Sequence, residues 1–269
     1  VDIDYPSIQI AKKRYPKTSF FCQDLEKFYT GKKYDLVTMF HVLEHLKNPL
    51  KVLNNILNSA HPKTYLLIEV PVLENGFTND INGFFSAQHL THFSRNSLKN
   101  FFKKAGWNIL RVDEQSSYNG SRVLAQPNAS ISKCQVTMGD DISSLYSYFQ
   151  HWFKVLQNVE EKLALLPISD EYIIWGAGLH TEFLFNKTSF FRKKKDANFL
   201  FFDSDPKKIG KTYRGVPIVS PFCEKRKISV NTPIVISSYR GTEEMKKECI
   251  KKGWNESSII SFYDHYKLY

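Results

Sequence analysis

Along the chain, short apolar runs alternate with amphipathic stretches. Tyr34–Phe40 (YDLVTMF) and Tyr65–Val70 (YLLIEV) are nearly continuous apolar runs, the pattern of strands covered on both faces. Val1–Asp4 reads as the tail of another buried strand, and Phe20–Cys22 as a short one ending at Gln23-Asp24. Helical patterns lie between them. Pro6 opens one, with Ile8, Ala11 and Tyr15 as its inner face, and Pro49–Leu57 points Leu50, Leu53, Ile56 and Leu57 inward. Ser94 stands as the N-cap of a helix with Leu98, Phe101, Phe102 and Ala105 on one face, ended by Gly106. Asn108–Asp113 and Ser121–Gln126 follow as a closing pair of strands. This alternation predicts a mostly parallel α/β sheet with right-handed crossovers.

Residues 127–141 are polar and contain Pro127, Asn128 and Gly139-Asp140-Asp141, so a linker is expected between a first domain (1–126) and a second (142–269). Leu145, Phe149, Trp152, Leu156, Val159, Leu163 and Leu166 then recur at steps of four and three, which predicts a long amphipathic helix. It packs on its own chain, or forms a homodimer contact through 145–166. A second, smaller α/β unit follows. Its strands are Tyr172–Trp175, Asn198–Phe202, Pro233–Ser237 and Ile259–Phe262. Its helices follow Gly176-Ala177-Gly178 and span Thr242–Lys252, stopped by Gly253.

The chain has 269 residues, and 37 Lys and Arg against 27 Asp and Glu leave a net charge of +10. The basic residues are scattered in short runs such as Arg192–Lys195 and Lys225–Lys227, and several fall on predicted helices, where a solvated face accounts for them. No base-flipping motif appears, and no NPPY-like tetrapeptide follows the third strand, so nucleic acid is not the expected partner. No apolar run is long enough to span a membrane. The four cysteines, Cys22, Cys134, Cys223 and Cys249, form no CxxC pair. Neither a zinc ribbon nor a disulfide framework is expected, which fits a reducing cytoplasm.

Ligands of open α/β sheets bind beyond the carboxyl ends of strands. There stand Asp2, then Asp24, then His41-Val42-Leu43-Glu44-His45-Leu46, then Glu69-Val70-Pro71. An acid after one strand can accept hydrogen bonds from ribose hydroxyls, and an acid after the next can accept one from an adenine amino group. With Cys22-Gln23-Asp24-Leu25, Tyr34-Asp35-Leu36-Val37 and the tail Gln88-His89-Leu90-Thr91-His92-Phe93-Ser94 to Ala105-Gly106-Trp107, this order resembles class I S-adenosylmethionine-dependent methyltransferases over residues 1 to about 126. The resemblance implies a Rossmann-like methyltransferase sheet and S-adenosyl-L-methionine as cofactor. Asp2 and the neighbouring Ile3 would hold the ribose, Asp24 and the Leu25 amide the adenine, while Phe40, His41 and Val42 would wall the cofactor. The family's first strand and glycine-rich loop belong upstream of Asp2, so the sequence reads as starting inside the domain. His45, His89 and His92 would line the acceptor side. His89 is the first choice for a general base, since neutral imidazole works near pH 7.

His41-Val42-Leu43-Glu44-His45 also matches H-x-x-E-H, an inverted zinc-protease pattern that needs both histidines one turn apart on a helix and a third ligand. It begins directly after a strand, so no metal is expected. In the second unit Gly176-Ala177-Gly178-Leu179-His180-Thr181 is like a dinucleotide fingerprint with Thr181 in place of the third glycine, and Asp203 ends the next strand. Gly176, Gly178 and Asp203 are therefore a candidate nucleotide site. The run Phe202–Gly210 and Gly215–Ile218 resembles the C-terminal domain of sugar C-methyltransferases, which implies a sugar or nucleotide-sugar as the small-molecule substrate, in bacterial glycan or secondary metabolism. A second reading is a non-catalytic nucleotide or nucleotide-sugar binding protein on the same fold.

Overall fold

The computed structural model describes residues 1–75, 84–113, 120–128, 141–223, 228–238 and 241–262. Most of the expected linker, with Cys134 and the Lys225–Lys227 run, lies outside them. The chain divides into two compact units, with the boundary between Tyr148 and Phe149. Among the described residues no helix is long and apolar enough to cross a membrane.

The first unit contains helix α1 (Tyr5–Arg14), strand β1 (Tyr34–Phe40), helix α2 (Pro49–Leu57), strand β2 (Ala60–Pro71), helix α3 (Arg95–Lys104) and strands β3 (Trp107–Val112) and β4 (Gly120–Pro127). The sheet order is β1-β2-β4-β3. The expectation of a mostly parallel sheet is corrected here. Only β1 and β2 run parallel, while β4 is antiparallel to both β2 and β3. The short β3-to-β4 connection allows only antiparallel pairing, since a parallel neighbour needs a crossover of a dozen residues or more.

Local signals at α3 act as expected. Ser94 and Ser97 cap each other reciprocally, Oγ of each accepting the other's backbone N–H at 2.9 and 2.8 Å. Gly106 takes φ +79° and turns the chain into β3. Trp107 is fully buried, and its Nε1 donates to the Leu53 carbonyl of α2 at 3.1 Å, tying sheet to helix. Leu43, Leu53, Leu66, Ile68, Leu98 and Phe102 complete this core.

Two strand expectations change. Val1–Asp4 and Phe20–Cys22 form no strands; they meet in a single parallel bridge, Asp2 to Cys22. β1 is not covered on both faces. It is an edge strand, and its Leu36 and Phe40 are 56% and 46% exposed while Met39 is buried. Its apolar composition reads like a central strand, yet among the described residues only β2 pairs with it. Tyr15, expected on the inner face of α1, caps its C-terminus and is exposed.

Helix α4 (Asp141–Ala164) is the long amphipathic helix. Trp152, Val159 and Leu163 are buried as expected, but Leu145 and Phe149 are exposed, and Leu166 lies beyond the helix end. In the first turns it is Tyr148 that is buried, against the rings of Phe84 and Phe85. The second unit then builds strands β5 (Glu171–Trp175), β6 (Asn198–Phe202), β7 (Thr212–Tyr213), β8 (Val216–Val219), β9 (Ile234–Ile236) and β10 (Ile259–Ser261). Its helices are α5 (Leu179–Lys187), α6 (Phe190–Lys193) and α7 (Thr242–Lys251). The order is β10-β9-β5-β6-β8-β7, parallel except for the β7–β8 pair.

Trp107→Ala should cost the first unit about 3–5 kcal/mol, because it opens a cavity in the core and removes the hydrogen bond to the Leu53 carbonyl. The exposed Leu110→Ala on the same strand should cost under about 0.5 kcal/mol. Urea denaturation of the two variants measures the difference.

Candidate active site

β1 ends in a backbone conformation that ordinary side chains avoid. His41 takes φ +50°, and its N–H still donates to the Glu69 carbonyl of β2 at 2.9 Å. This left-handed residue turns the chain into one turn of 3-10 helix, Leu43–His45, with Glu44 buried at 1% exposure. The His41 ring lies between two carboxylates. Nδ1 is 3.3 Å from Glu44 Oε1, and Nε2 is 3.1 Å from Glu69 Oε1. Arg122 Nε of β4 meets Glu69 Oε2 at 2.5 Å. Positive and negative groups thus alternate from Arg122 through Glu69 and His41 to Glu44. The hydrogen bond to Glu44 raises the His41 pKa above its ordinary value, and burial only partly opposes this.

The segment from Phe84 to Ser94 is pinned onto that turn. The N–H groups of Leu90 and Thr91 both donate to the Glu44 carbonyl, at 2.8 and 3.1 Å. His45 Nδ1 meets the Gln88 carbonyl at 2.9 Å, and His89 Nδ1 meets the Phe84 carbonyl at 2.9 Å. The rings of His45 and His89 then lie 4.9 Å apart, and those of His89 and His92 6.3 Å apart. His92 packs on Phe84 and Phe85. Burial lowers its pKa, and the neighbouring His89 adds to this, so His92 is neutral at pH 7. The three histidines singled out from the sequence are therefore brought together. Glu69, named there only in the order of strand ends, joins them through His41 and Glu44, and Arg122 behind it was not singled out. Arg122 carried no signal, because it lies in an antiparallel strand remote in sequence.

The residues expected to hold a cofactor are split. Asp2 and Cys22 are joined by their bridge, which brings Asp2 near the Cys22–Leu25 segment. Asp2 Oδ1 accepts the Asp4 N–H and Asp24 Oδ1 accepts the Glu26 N–H, both at 2.9 Å, and both side chains are exposed. A cavity of about 440 Å³ is lined by Val1, Phe21, Leu25, Phe40 and Val42, among others. Asp2, Ile3, Asp24 and His41 are not among its lining residues, and His41 is taken up by its two carboxylates. The donor set fits the nucleoside part of S-adenosylmethionine. It offers the exposed carboxylates of Asp2 and Asp24 for hydroxyl and amino groups, and their chain neighbours Val1 and Leu25 line an apolar cavity.

In the second unit the fingerprint residues serve the fold. Gly176 has φ +118°, and a Cβ there would lie 2.4 Å from the Ser237 carbonyl oxygen, so the loop after β5 closes against β9 only with glycine. Asp203 is buried and fully engaged. It accepts from the N–H groups of Ala177 and Asp205 and from Lys208 Nζ, each at 2.9 Å. Burial works against its charge, but these donors hold its pKa below the ordinary value. Thr181, where a fingerprint has glycine, bonds the Gly176 carbonyl and Ser237 Oγ. Ser237 Oγ also meets Nδ1 of His180, which burial pushes down to about 4 and so keeps neutral.

Residues 1–112 match a family model described as a methyltransferase domain. That match supports S-adenosylmethionine as the cofactor of this segment. No curated protein matches the chain. Among solved structures, an S-adenosylmethionine-dependent methyltransferase from Clostridium acetobutylicum is similar at 11% identity and TM-score 0.40, covering 48% of this chain and 74% of that one. One from Mesorhizobium loti is similar at 12% identity and TM-score 0.39, covering 46% and 77%. The 1,6-didemethyltoxoflavin-N1-methyltransferase of Burkholderia thailandensis, with bound 1,6-didemethyltoxoflavin and S-adenosylhomocysteine, is similar at 15% identity and TM-score 0.35, covering 45% and 55%.

Two outcomes follow from these contacts. A histidine whose folded pKa is raised stabilises the fold fully below its unfolded value of 6.5, and this is lost as pH rises through the folded value. The melting temperature should therefore fall as pH climbs above 6.5, and His41→Gln should flatten that slope; identical slopes would refute the assignment. Gly176→Ala should destabilise the second unit by about 3 kcal/mol or more. Gly178→Ala, whose Cβ would meet only Lys208 Nζ at 3.6 Å, should cost at most about 1 kcal/mol. Denaturation followed by tryptophan fluorescence compares them.

Proposed function

We propose that this chain carries out S-adenosylmethionine-dependent methyl transfer to a small acceptor, a sugar or nucleotide-sugar. The observation that carries the proposal is the convergence of His45, His89 and His92 on the turn that follows β1, within a segment that matches a methyltransferase domain. The cofactor supplies an electrophilic methyl group on a sulfonium. The chain supplies the rest. Asp2 and Asp24 accept hydrogen bonds from the nucleoside, and Leu25, Phe40 and Val42 give an apolar wall that excludes water. The Arg122–Glu69–His41–Glu44 chain of charges fixes the turn against the sheet, so the acceptor meets a rigid surface. His92 is the acid–base group, with His89 beside it. His92, kept neutral, is ready to take a proton from an acceptor hydroxyl or carbon acid. The exposed ring of Phe85 beside it suits the apolar face of a sugar ring. Gly176 and Asp203 of the second unit serve its own packing, and no ligand is proposed for that unit.

Calorimetric titration with S-adenosylhomocysteine tests the cofactor half. Micromolar binding is expected, lost in Asp2→Ala. No binding by the wild type, or equal binding by the variant, would refute the assignment. Turnover on nucleotide-sugars tests the acceptor half, and His92→Ala should lower kcat by about 10²–10⁴ with binding intact. A fall of less than about threefold would remove His92 from the acid–base role. Binding of S-adenosylhomocysteine without turnover on any acceptor would leave a nucleotide-binding protein instead.

A further inference from the structure

Glu44, His45 and His89 each place one ligand-type atom within 4.8 Å of the other two. The hydrogen bonds around them fix what those atoms are. A carbonyl oxygen only accepts, so His45 Nδ1 and His89 Nδ1 must both donate, to Gln88 and Phe84. In the neutral rings each Nε2 is then a bare lone pair. Glu44 Oε2 is also an acceptor; it is buried and has no hydrogen-bond partner, while Oε1 is held by His41. His45 Nε2 stands 3.8 Å from Glu44 Oε1. A bare imidazole nitrogen of His45 thus stands beside a buried carboxylate, with His89 in the same cluster. A carboxylate oxygen left unpaired in a buried position costs about 1–3 kcal/mol or more, unless something positive meets it.

We infer that Glu44, His45 and His89 hold a divalent first-row transition cation. Two imidazoles and one carboxylate are the donor set such ions take, and three protein ligands leave coordination positions open to an acceptor oxygen. The surroundings are those of a metal site. Both imidazoles are oriented by main-chain carbonyls, and the carboxylate is oriented by His41, itself backed by Glu69 and Arg122. In a tetrahedral zinc set neighbouring ligand atoms stand about 3.4 Å apart, so an inward shift of under about 1 Å by each side chain completes the site. The H-x-x-E-H pattern had been set aside because His41 and His45 share no helix. The cluster does not use His41 as a ligand: His89, brought in from the segment before α3, takes that place. His89 then serves as a ligand, and His92 alone moves the proton.

The inference rests on this geometry and not on methyl transfer, so it is tested without cofactor or acceptor. The full 269-residue chain, stripped with a chelator, is titrated with zinc chloride by calorimetry and with Co²⁺ by visible absorption. One ion per chain is expected, with visible bands marking nitrogen and oxygen ligands to cobalt. Glu44→Gln and His89→Asn should each weaken zinc binding by about 100-fold or more. His89 is only partly buried, so His89→Asn keeps the test valid if Glu44→Gln fails to fold, and circular dichroism reports which has folded. No zinc binding by the wild type would overturn the inference, as would wild-type affinity in folded His89→Asn. Zinc binding with no S-adenosylhomocysteine binding would uphold this inference and sink the methyltransferase reading; the reverse result would do the opposite.

Discussion

A carboxylate forced out of water organises the first unit. Glu44 is 1% exposed, and a buried charge persists only with partners. Its side chain draws His41 into the left-handed conformation at the end of β1, and His41 in turn engages Glu69 and, through it, Arg122. Its backbone carbonyl takes two N–H groups from Leu90 and Thr91, which fastens a segment more than forty residues away. The positions of His89 and His92 follow from that fastening.

The same physics separates the two halves of the candidate site. The acceptor side is held by charge-assisted hydrogen bonds among Arg122, Glu69, His41 and the buried Glu44, and by main-chain hydrogen bonds to His45 and His89. The cofactor side rests on exposed acids and an apolar cavity along an edge strand. Asp2 and Asp24 each commit one carboxylate oxygen to a local turn. That leaves the chemistry of a nucleoside site while asking less of its shape.

The second unit shows how a motif is spent on architecture. Gly176 is required because the loop after β5 passes within contact of the Ser237 carbonyl. Asp203 sits where a ribose-binding acid would, yet it satisfies two backbone N–H groups and Lys208. Thr181 and His180 meet at Ser237 Oγ, a polar network that closes the same junction.

Periodicity and caps alone determined most elements: β1, α2, α3 with its Ser94 cap and Gly106 stop, and β5, β6 and α7 lie where the local pattern puts them, because their signals are contained within one turn or one strand. The convergence of His45 with His89 was also foreshadowed by motif order. Tertiary structure decided what local pattern cannot encode. Apolar residues on β1 read as a covered strand, but coverage depends on which strands lie beside it, and β1 is an edge. The antiparallel placing of β4 carries Arg122 to Glu69, and no spacing in the sequence announces a pair 53 residues apart. The proton position on His45, and with it the lone pair beside Glu44, depends on a main-chain carbonyl supplied by a distant segment. Charge and donor direction act through space, and only the folded chain fixes which groups share it.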